Sequence, residues 1–191
     1  MKKYSVTIEG IAPILQHRFG VQAQTEAAQT VKMVSGQRDF SGEWLSTCYL
    51  LDGAVVQPAE HIWQAMVRAA VNFVIKGRGR KTYKDLVSSA TIIEPDLIPF
   101  GITLPDEVTT DPSQSVYVDV RPVRIQRARI LRERLALSKG WQLSFEIICF
   151  DDQLPVEVLQ AILTYAGEAI GIGDYRPRFG RFRVVSFVEA Q

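Results

Sequence analysis

Apolar positions along this chain switch between two periods. Residues 4–8 alternate, and apolar positions continue through Ile11, Ile14 and Leu15, which predicts a first strand with Gly10 and Pro13 marking a bulge or an edge. Residues 21–34 are largely Ala, Gln, Glu and Thr with Val31 and Met33 as thin anchors, a pattern for a short, mostly exposed helix, and residues 36–42 read as a loop. Asp52-Gly53 separates residues 47–51 from residues 54–56 and predicts a hairpin over 44–56 closed by a type I′ turn. Pro58 and Glu60 then suit a helix start, and Ile62, Met66, Ala69, Ala70 and Phe73 recur at helical spacing up to a stop at Gly77. Residues 85–115 break into short strands and turns at Pro95, Pro99, Pro105 and Pro112.

Alternation returns at Val116, Val118 and Val120 and resumes at Val123 and Ile125, after which residues 124–135 continue as a long hairpin or basic arm. Residues 141–148 form another strand pattern. Pro155 opens a second helix with Val158, Ile162, Tyr165, Ala166 and Ala169 on one side, and residues 182–188 read as a closing strand. Strand, helix, strands, helix, strand predicts an α+β fold: a ferredoxin-like antiparallel sheet with helices on one face. The 191 residues, 47% of them hydrophobic, fit a single domain spanning 1–191 with insertions over about 21–56 and 77–115.

Charge changes the picture. The formal net charge of +1 conceals a segregation: residues 76–84, 121–139 and 171–183 hold 5, 7 and 4 Lys/Arg against only Glu133 and Asp174, a local charge of +14. The remaining 6 basic and 19 acidic residues carry −13. A local field of this kind attracts polyanions whatever the global charge, provided the three segments meet in space. Solvated arginines scattered around the fold are the alternative.

The stretch with most chemistry is residues 169–184, which leave an apolar helix at Gly171, pass Gly173, Tyr175, Arg176, Arg178, Phe179, Gly180 and Arg181, and enter the final strand. Glycines let backbone N–H groups approach a ligand, guanidinium groups supply charge and forked hydrogen bonds, and Tyr175 and Phe179 add flat apolar faces. That mixture suits a sugar-phosphate backbone with unstacked bases. A Gly-X-Gly at a helix end is also an ordinary terminator, and both readings stand at this level.

Other chemistries are thinly supported. Glu9 interrupts the first apolar run and no window approaches 18 uncharged apolar residues, so the reading is a soluble, cytoplasmic protein with no membrane partner. Cys48 and Cys149 sit in apolar runs and read as buried free thiols. No Cys/His spacing for zinc and no phosphate-binding Walker loop occurs, and Asp106-Glu107 and Asp151-Asp152 are turn-like pairs, so neither a metal nor a cofactor is expected. His61 falls in the first turn of the long helix, in a capping or surface role. His17, ahead of Arg18, is a weak candidate for acid–base work, with no partner base identifiable from spacing.

Three pieces resemble the RAMP superfamily, the RNA-recognition-motif-like proteins of CRISPR systems, and within it the small backbone subunits of effectors or their free-standing phage relatives. One is the strand ending in Ile11-Ala-Pro-Ile-Leu-Gln-His17-Arg18. The next is the short strand, proline and small-residue helix over 55–70 that reaches Arg68, and the last is the loop over 171–180, similar to the family's C-terminal glycine-rich loop. The family loop commonly keeps a second close glycine pair, where only Gly180 stands here before Arg181. The resemblance implies a non-enzymatic, sequence-tolerant subunit that binds a single-stranded guide RNA and assembles side by side with copies of itself and other effector subunits. The residues expected at nucleic acid are His17, Arg18, Arg68, Lys76, Arg78, Arg80, Lys81, Arg124, Arg127, Arg129, Arg132, Arg134, Gly171, Gly173, Tyr175, Arg176, Arg178, Phe179 and Arg181. Three alternatives stay open: a phage protein that coats or anneals single-stranded DNA, a metal-independent RNA endonuclease using His17, and a structural assembly protein whose arginines meet acidic partners.

Overall fold

The computed structural model describes residues 1–18, 32–34, 37–39, 42–125 and 128–190. The helix expected over 21–34 falls largely outside them; of that stretch the described residues Lys32–Val34 form a strand, β3, which pairs antiparallel with β4, Gln37–Asp39, in what was expected to be a loop.

Four strands form the central sheet in the order β12-β1-β11-β7, every pair antiparallel: β12 (Phe182–Glu189), β1 (Lys2–Gly10), β11 (Gln142–Cys149) and β7 (Thr91–Glu94). Helix α2 (Ala59–Ala69) joins β1 to β7 in sequence and helix α4 (Val156–Tyr165) joins β11 to β12, an order compatible with the ferredoxin-like unit. Strand alternation sends Tyr4, Val6, Ile8, Leu143, Phe145 and Ile147 to one face, where they share a core with Ile62, Met66, Leu159, Ile162 and Phe182. Helix α2 begins after Pro58, carries Glu60 in its first turn and Arg68 in its last, and buries Ile62, Ala65, Met66 and Ala69. Its small residues let it lie close to α4 and to the π-helical turn Ala166–Ile170 that extends α4.

The other face of the sheet is open and mixed, with exposed Val188 opposite Ser5 and exposed Ile92 in line with Lys3 through Ile148. Ser5, Thr7 and Ser144 lie on it, Thr7 and Ser144 sharing a 3.0 Å hydrogen bond, while Lys3 pairs with Glu146 at 3.6 Å and Arg183 with Glu9 at 2.8 Å. Gly10 ends β1 beneath Trp141, whose indole Nε1 donates to Ala12 O at 2.9 Å; a Cβ at Gly10 would meet that ring nitrogen at 2.1 Å. This close approach is the physical reason for the glycine.

Two smaller sheets flank the unit. Strand β9 (Val116–Ile125) and β10 (Ala128–Leu137) form the long hairpin, with β2 (Ile14–Leu15) on the outer side of β10. Strands β5 (Leu50–Leu51), β6 (Ala54–Pro58) and β8 (Leu97–Thr103) form the other. Asp52 and Gly53 both have positive φ, 50° and 78°, as the expected type I′ turn requires.

Two expectations are corrected. Residues 44–47 are not hairpin strand but part of a helical turn, α1 (Glu43–Thr47), because Glu43 is drawn down to β10. Lys84–Ala90, within the stretch read as strands and turns, is a helix, α3, that buries only Val87 and Ala90, too short for a helical period to emerge. Cys48 and Cys149 are buried and free. Among the described residues no helix is long and apolar enough to cross a membrane.

Candidate nucleic-acid interface

The glycine-rich loop is pinned to the core by its backbone. Gly171 N–H donates to Ala166 O (2.8 Å), Ile172 N–H to Gly180 O (2.9 Å), Asp174 N–H to Leu15 O (2.8 Å) and Gly180 N–H to Pro13 O (2.8 Å). Gly173 and Gly180 both have positive φ (79° and 70°), and a Cβ on either would strike backbone, Leu15 O at 2.6 Å and Ile172 O at 1.7 Å. These glycines therefore serve close packing of the loop on β2 and on itself. Gly171, with φ 73°, terminates the helix and closes the same loop.

What the loop exposes is its middle. Tyr175, Arg176 and Arg178 are exposed, as is Arg181, whose Nε donates back to Pro177 O at 2.8 Å. Phe179 differs from its expected role as a free face: at 7% exposure it is packed with Leu15, Tyr117 and Ala136 under the loop.

Hairpin and loop meet through guanidinium groups. Because directly opposed residues share a face, Arg121 and Arg132 face the same way, as do Asp119 and Arg134. Arg121 is gripped by both oxygens of Asp119 and lies over the Phe179 ring, 4.4 Å from its centroid. Arg134, 5% exposed, pairs through Nε with Asp174 of the loop and lies 5.6 Å from the Tyr175 centroid. Arg132 binds both oxygens of Glu43 on α1, and its Nη2 sits 3.3 Å from Nε2 of His17. Arg121, Arg132 and Arg134 are thus committed to carboxylates that sequence reasoning did not place in the site. Asp119 and Arg121 could have been found from their i, i+2 spacing on one strand; Glu43 and Asp174 lie 89 and 40 residues from their partners.

Beside this paired layer lies a less compensated one. His17 is half-buried at the end of β2 with exposed Arg18 next to it. Burial, then the charges of Arg132 and Arg134, push the His17 imidazole below its ordinary value against a weaker pull from Asp174. Asp174 itself would rise from burial, but the Arg134 hydrogen bond and charge, the Tyr175 N–H and His17 hold it below the usual carboxylate range. Burial and then the charge of Arg68 on α2 depress Arg176, and burial followed by the Arg176 charge depresses His61, with Glu60 opposing. His61 Nδ1 is 2.6 Å from Gln57 Nε2, and its ring meets Tyr49 edge-on at 5.5 Å. The capping or surface role expected of His61 is not what the structure shows: no side chain caps α2, and His61 is half-buried, bonded to Gln57 and within reach of the Arg176 charge. An anion bound beside Arg176 would offset the burial and the Arg68 charge that lower its proton affinity.

The expected residues therefore divide. His17, Arg18, Arg68, Arg132, Arg134, Gly171, Gly173, Tyr175, Arg176, Arg178, Phe179 and Arg181 gather around the loop. Lys76, Arg78, Arg80 and Lys81 form an exposed turn elsewhere, where Arg78 donates to Gln153 just ahead of α4. The glycine loop follows the far end of that helix and its π extension, about 22 Å away at 1.5 Å per residue. Arg124 and Arg129 lie on backbone at the end of the hairpin with undescribed side chains, and Arg127 is outside the described residues. No group of three or more His, Cys, Asp or Glu among the described residues could hold a metal ion.

The fold has a solved counterpart. A chain in the cryo-EM structure of the Type III-B Cmr-beta bound to cognate target RNA superposes with a TM-score of 0.54 at 10% identity. The match covers 100% of this chain and 61% of that one, so the chain spans under two thirds of its counterpart's length. At that identity the likeness speaks to the fold alone. No family model matches the sequence, and no curated protein matches it.

Proposed function

We propose that the protein is a RAMP-like, ferredoxin-fold subunit that binds single-stranded RNA through its sugar-phosphate backbone, at the surface built by the glycine-rich loop, α2 and the end of β2. It acts without catalysis, alongside copies of itself or other subunits of a CRISPR-type effector. The observation that carries this reading is a loop whose backbone is pinned to β2 while Arg176, Arg178 and Arg181 stay exposed on it, with exposed Arg18 just past β2 and the Arg68 charge of α2 felt at Arg176. The fold shared with a chain of the Type III-B Cmr-beta structure solved bound to cognate target RNA supports the choice of nucleic acid over an acidic protein.

The open face of the sheet supports the same location by elimination. RNA-recognition motifs stack bases on aromatic residues of that face. Here it presents Ser5, Thr7, Ser144, Ile92 and Val188, while the aromatics of its strands, Tyr4, Phe145, Phe182 and Phe187, lie on the core side, and Lys3 and Arg183 are already paired to carboxylates.

The test is binding of ribo- and deoxyribo-oligonucleotides of equal length across a salt series. Neutralising several phosphates makes log affinity fall linearly with log salt, by roughly 0.7 per phosphate contacted. A steep slope with preference for the ribo-oligomer is expected. A flat response overturns the reading, and equal affinity for both strands moves it to single-stranded DNA coating.

A further inference from the structure

Tyr175 occupies the centre of the exposed loop in a conformation that tyrosine rarely takes. Its φ is 60°, in the left-handed region, where a glycine would sit without cost and where the neighbouring turns of this loop do use glycine. The residue is 39% exposed, so burial alone does not explain it. Its inner side is built up. Phe179 meets it edge-on at 6.1 Å, with an interplanar angle of 90°. The Arg121 guanidinium lies 5.3 Å from the Tyr175 centroid and the Arg134 guanidinium 5.6 Å. Both cations are held by carboxylates, Arg121 by Asp119 and Arg134 by Asp174, so they are fixed in place and their charge is largely spent. What they supply is a rigid support for the ring. Close by in sequence, exposed Arg176 and Arg178 form no salt bridge among the described residues.

We infer that Tyr175 is a nucleobase-stacking residue: a single strand lays one base on the exposed part of the ring while its flanking phosphates meet Arg176 and Arg178. The inference rests on the proposed single-strand binding and goes beyond a backbone-only contact, since it requires the ligand to carry a base. Every base has a π-face, so the contact adds affinity without reading sequence.

The experiment compares the full-length parent with Tyr175→Ala, Tyr175→Trp and Tyr175→Gly, each titrated by fluorescence anisotropy. Two labelled probes of equal length are used: a homopyrimidine oligoribonucleotide, and a backbone in which every nucleotide is abasic. Tyr175→Ala should weaken the base-bearing probe about 5- to 30-fold, the scale of one base–aromatic stack, and leave the abasic probe within about twofold. Tyr175→Trp should bind the base-bearing probe as well as the parent. Tyr175→Gly separates stacking from loop folding, because glycine accepts the positive φ: it should melt no lower than the parent yet bind as weakly as Tyr175→Ala. Equal losses on both probes, or no loss on the base-bearing one, would overturn the stack and leave the ring a loop support. Failure of the parent to bind either probe would instead sink the proposed function.

Discussion

His17 and His61 are the residues whose chemistry the fold changes most. Both imidazoles are depressed by burial first; Arg132 and Arg134 add to this at His17 and Arg176 at His61, while Asp174 and Glu60 pull the other way. A histidine whose folded value lies below its unfolded value of about 6.5 binds fewer protons in the native state. Its contribution to stability is therefore complete above about pH 6.5 and is lost as pH falls through the folded value. Urea midpoints measured from pH 7.5 to 5 should fall on the acid side, and His17→Gln should flatten that decline. An unchanged slope would mean that His17 titrates freely in the folded chain. Gly180 offers a second test at this scale. A Cβ there meets Ile172 O at 1.7 Å, with φ at 70°, whereas Gly140 has φ 94° and nothing within 4 Å. Gly180→Ala should cost about 2–4 kcal/mol from combined strain and overpacking, and Gly140→Ala only about 1 kcal/mol. Equal costs in chemical denaturation would show that the loop relaxes around the added methyl.

Among the elements, the glycine loop and the open sheet face make opposite claims. The loop's backbone is tied to β2 and to the end of α4, while Arg176 and Arg178 are exposed. Arg176→Glu with Arg178→Glu should abolish oligonucleotide binding while the melting temperature stays within a few degrees, because exposed substitutions rarely exceed about 0.5 kcal/mol each. On the sheet face, Thr7→Ala with Ser144→Ala removes one 3.0 Å hydrogen bond. It should cost about 1 kcal/mol of stability and leave binding within about twofold. The reverse outcome, loop mutant binding and sheet mutant not, would place the nucleic acid on the sheet.

For the whole molecule, the segregation of charge into +14 and −13 acquires a geometry. Arg18, Arg68, Arg176, Arg178 and Arg181 are exposed around the loop, and if each meets a phosphate the salt slope should be roughly −3.5. Lys76, Arg80 and Lys81 stand at the opposite end of α4, so a strand bound to one copy reaches them only by crossing the molecule, or from a neighbour. Lys76→Glu with Lys81→Glu should therefore leave the affinity of a short oligomer unchanged and reduce that of long strands on which several copies sit side by side. Light scattering during titration with strands of increasing length gives the companion measurement. Mass growing with strand length is expected, and one protein per strand at every length would reject side-by-side assembly.

The strands of the central sheet and its two long helices were legible in sequence alone, because period-2 and period-3.6 patterns are local properties, whereas the short α1 and α3 and the β3–β4 pair were not. Alternation at residues 4–8 and 116–125, Pro58 and Pro155 ahead of their helices, and Asp52-Gly53 at its turn all act within a few residues. The glycine loop, its exposed arginines and the basic hairpin were legible for the same reason. Tertiary structure decided which charges are spent and which remain available. Arg132 meets Glu43 across 89 residues and Arg134 meets Asp174 across 40, so two arginines that look like phosphate contacts in the sequence became struts between hairpin, helix and loop. Phe179 was turned inward under Arg121, Tyr175 was left outward, and the basic turn at 76–81 was carried to the far end of α4. Pairing of distant charges costs nothing in local pattern, since it depends on register and helix packing, and these exist only once the chain has closed its sheet.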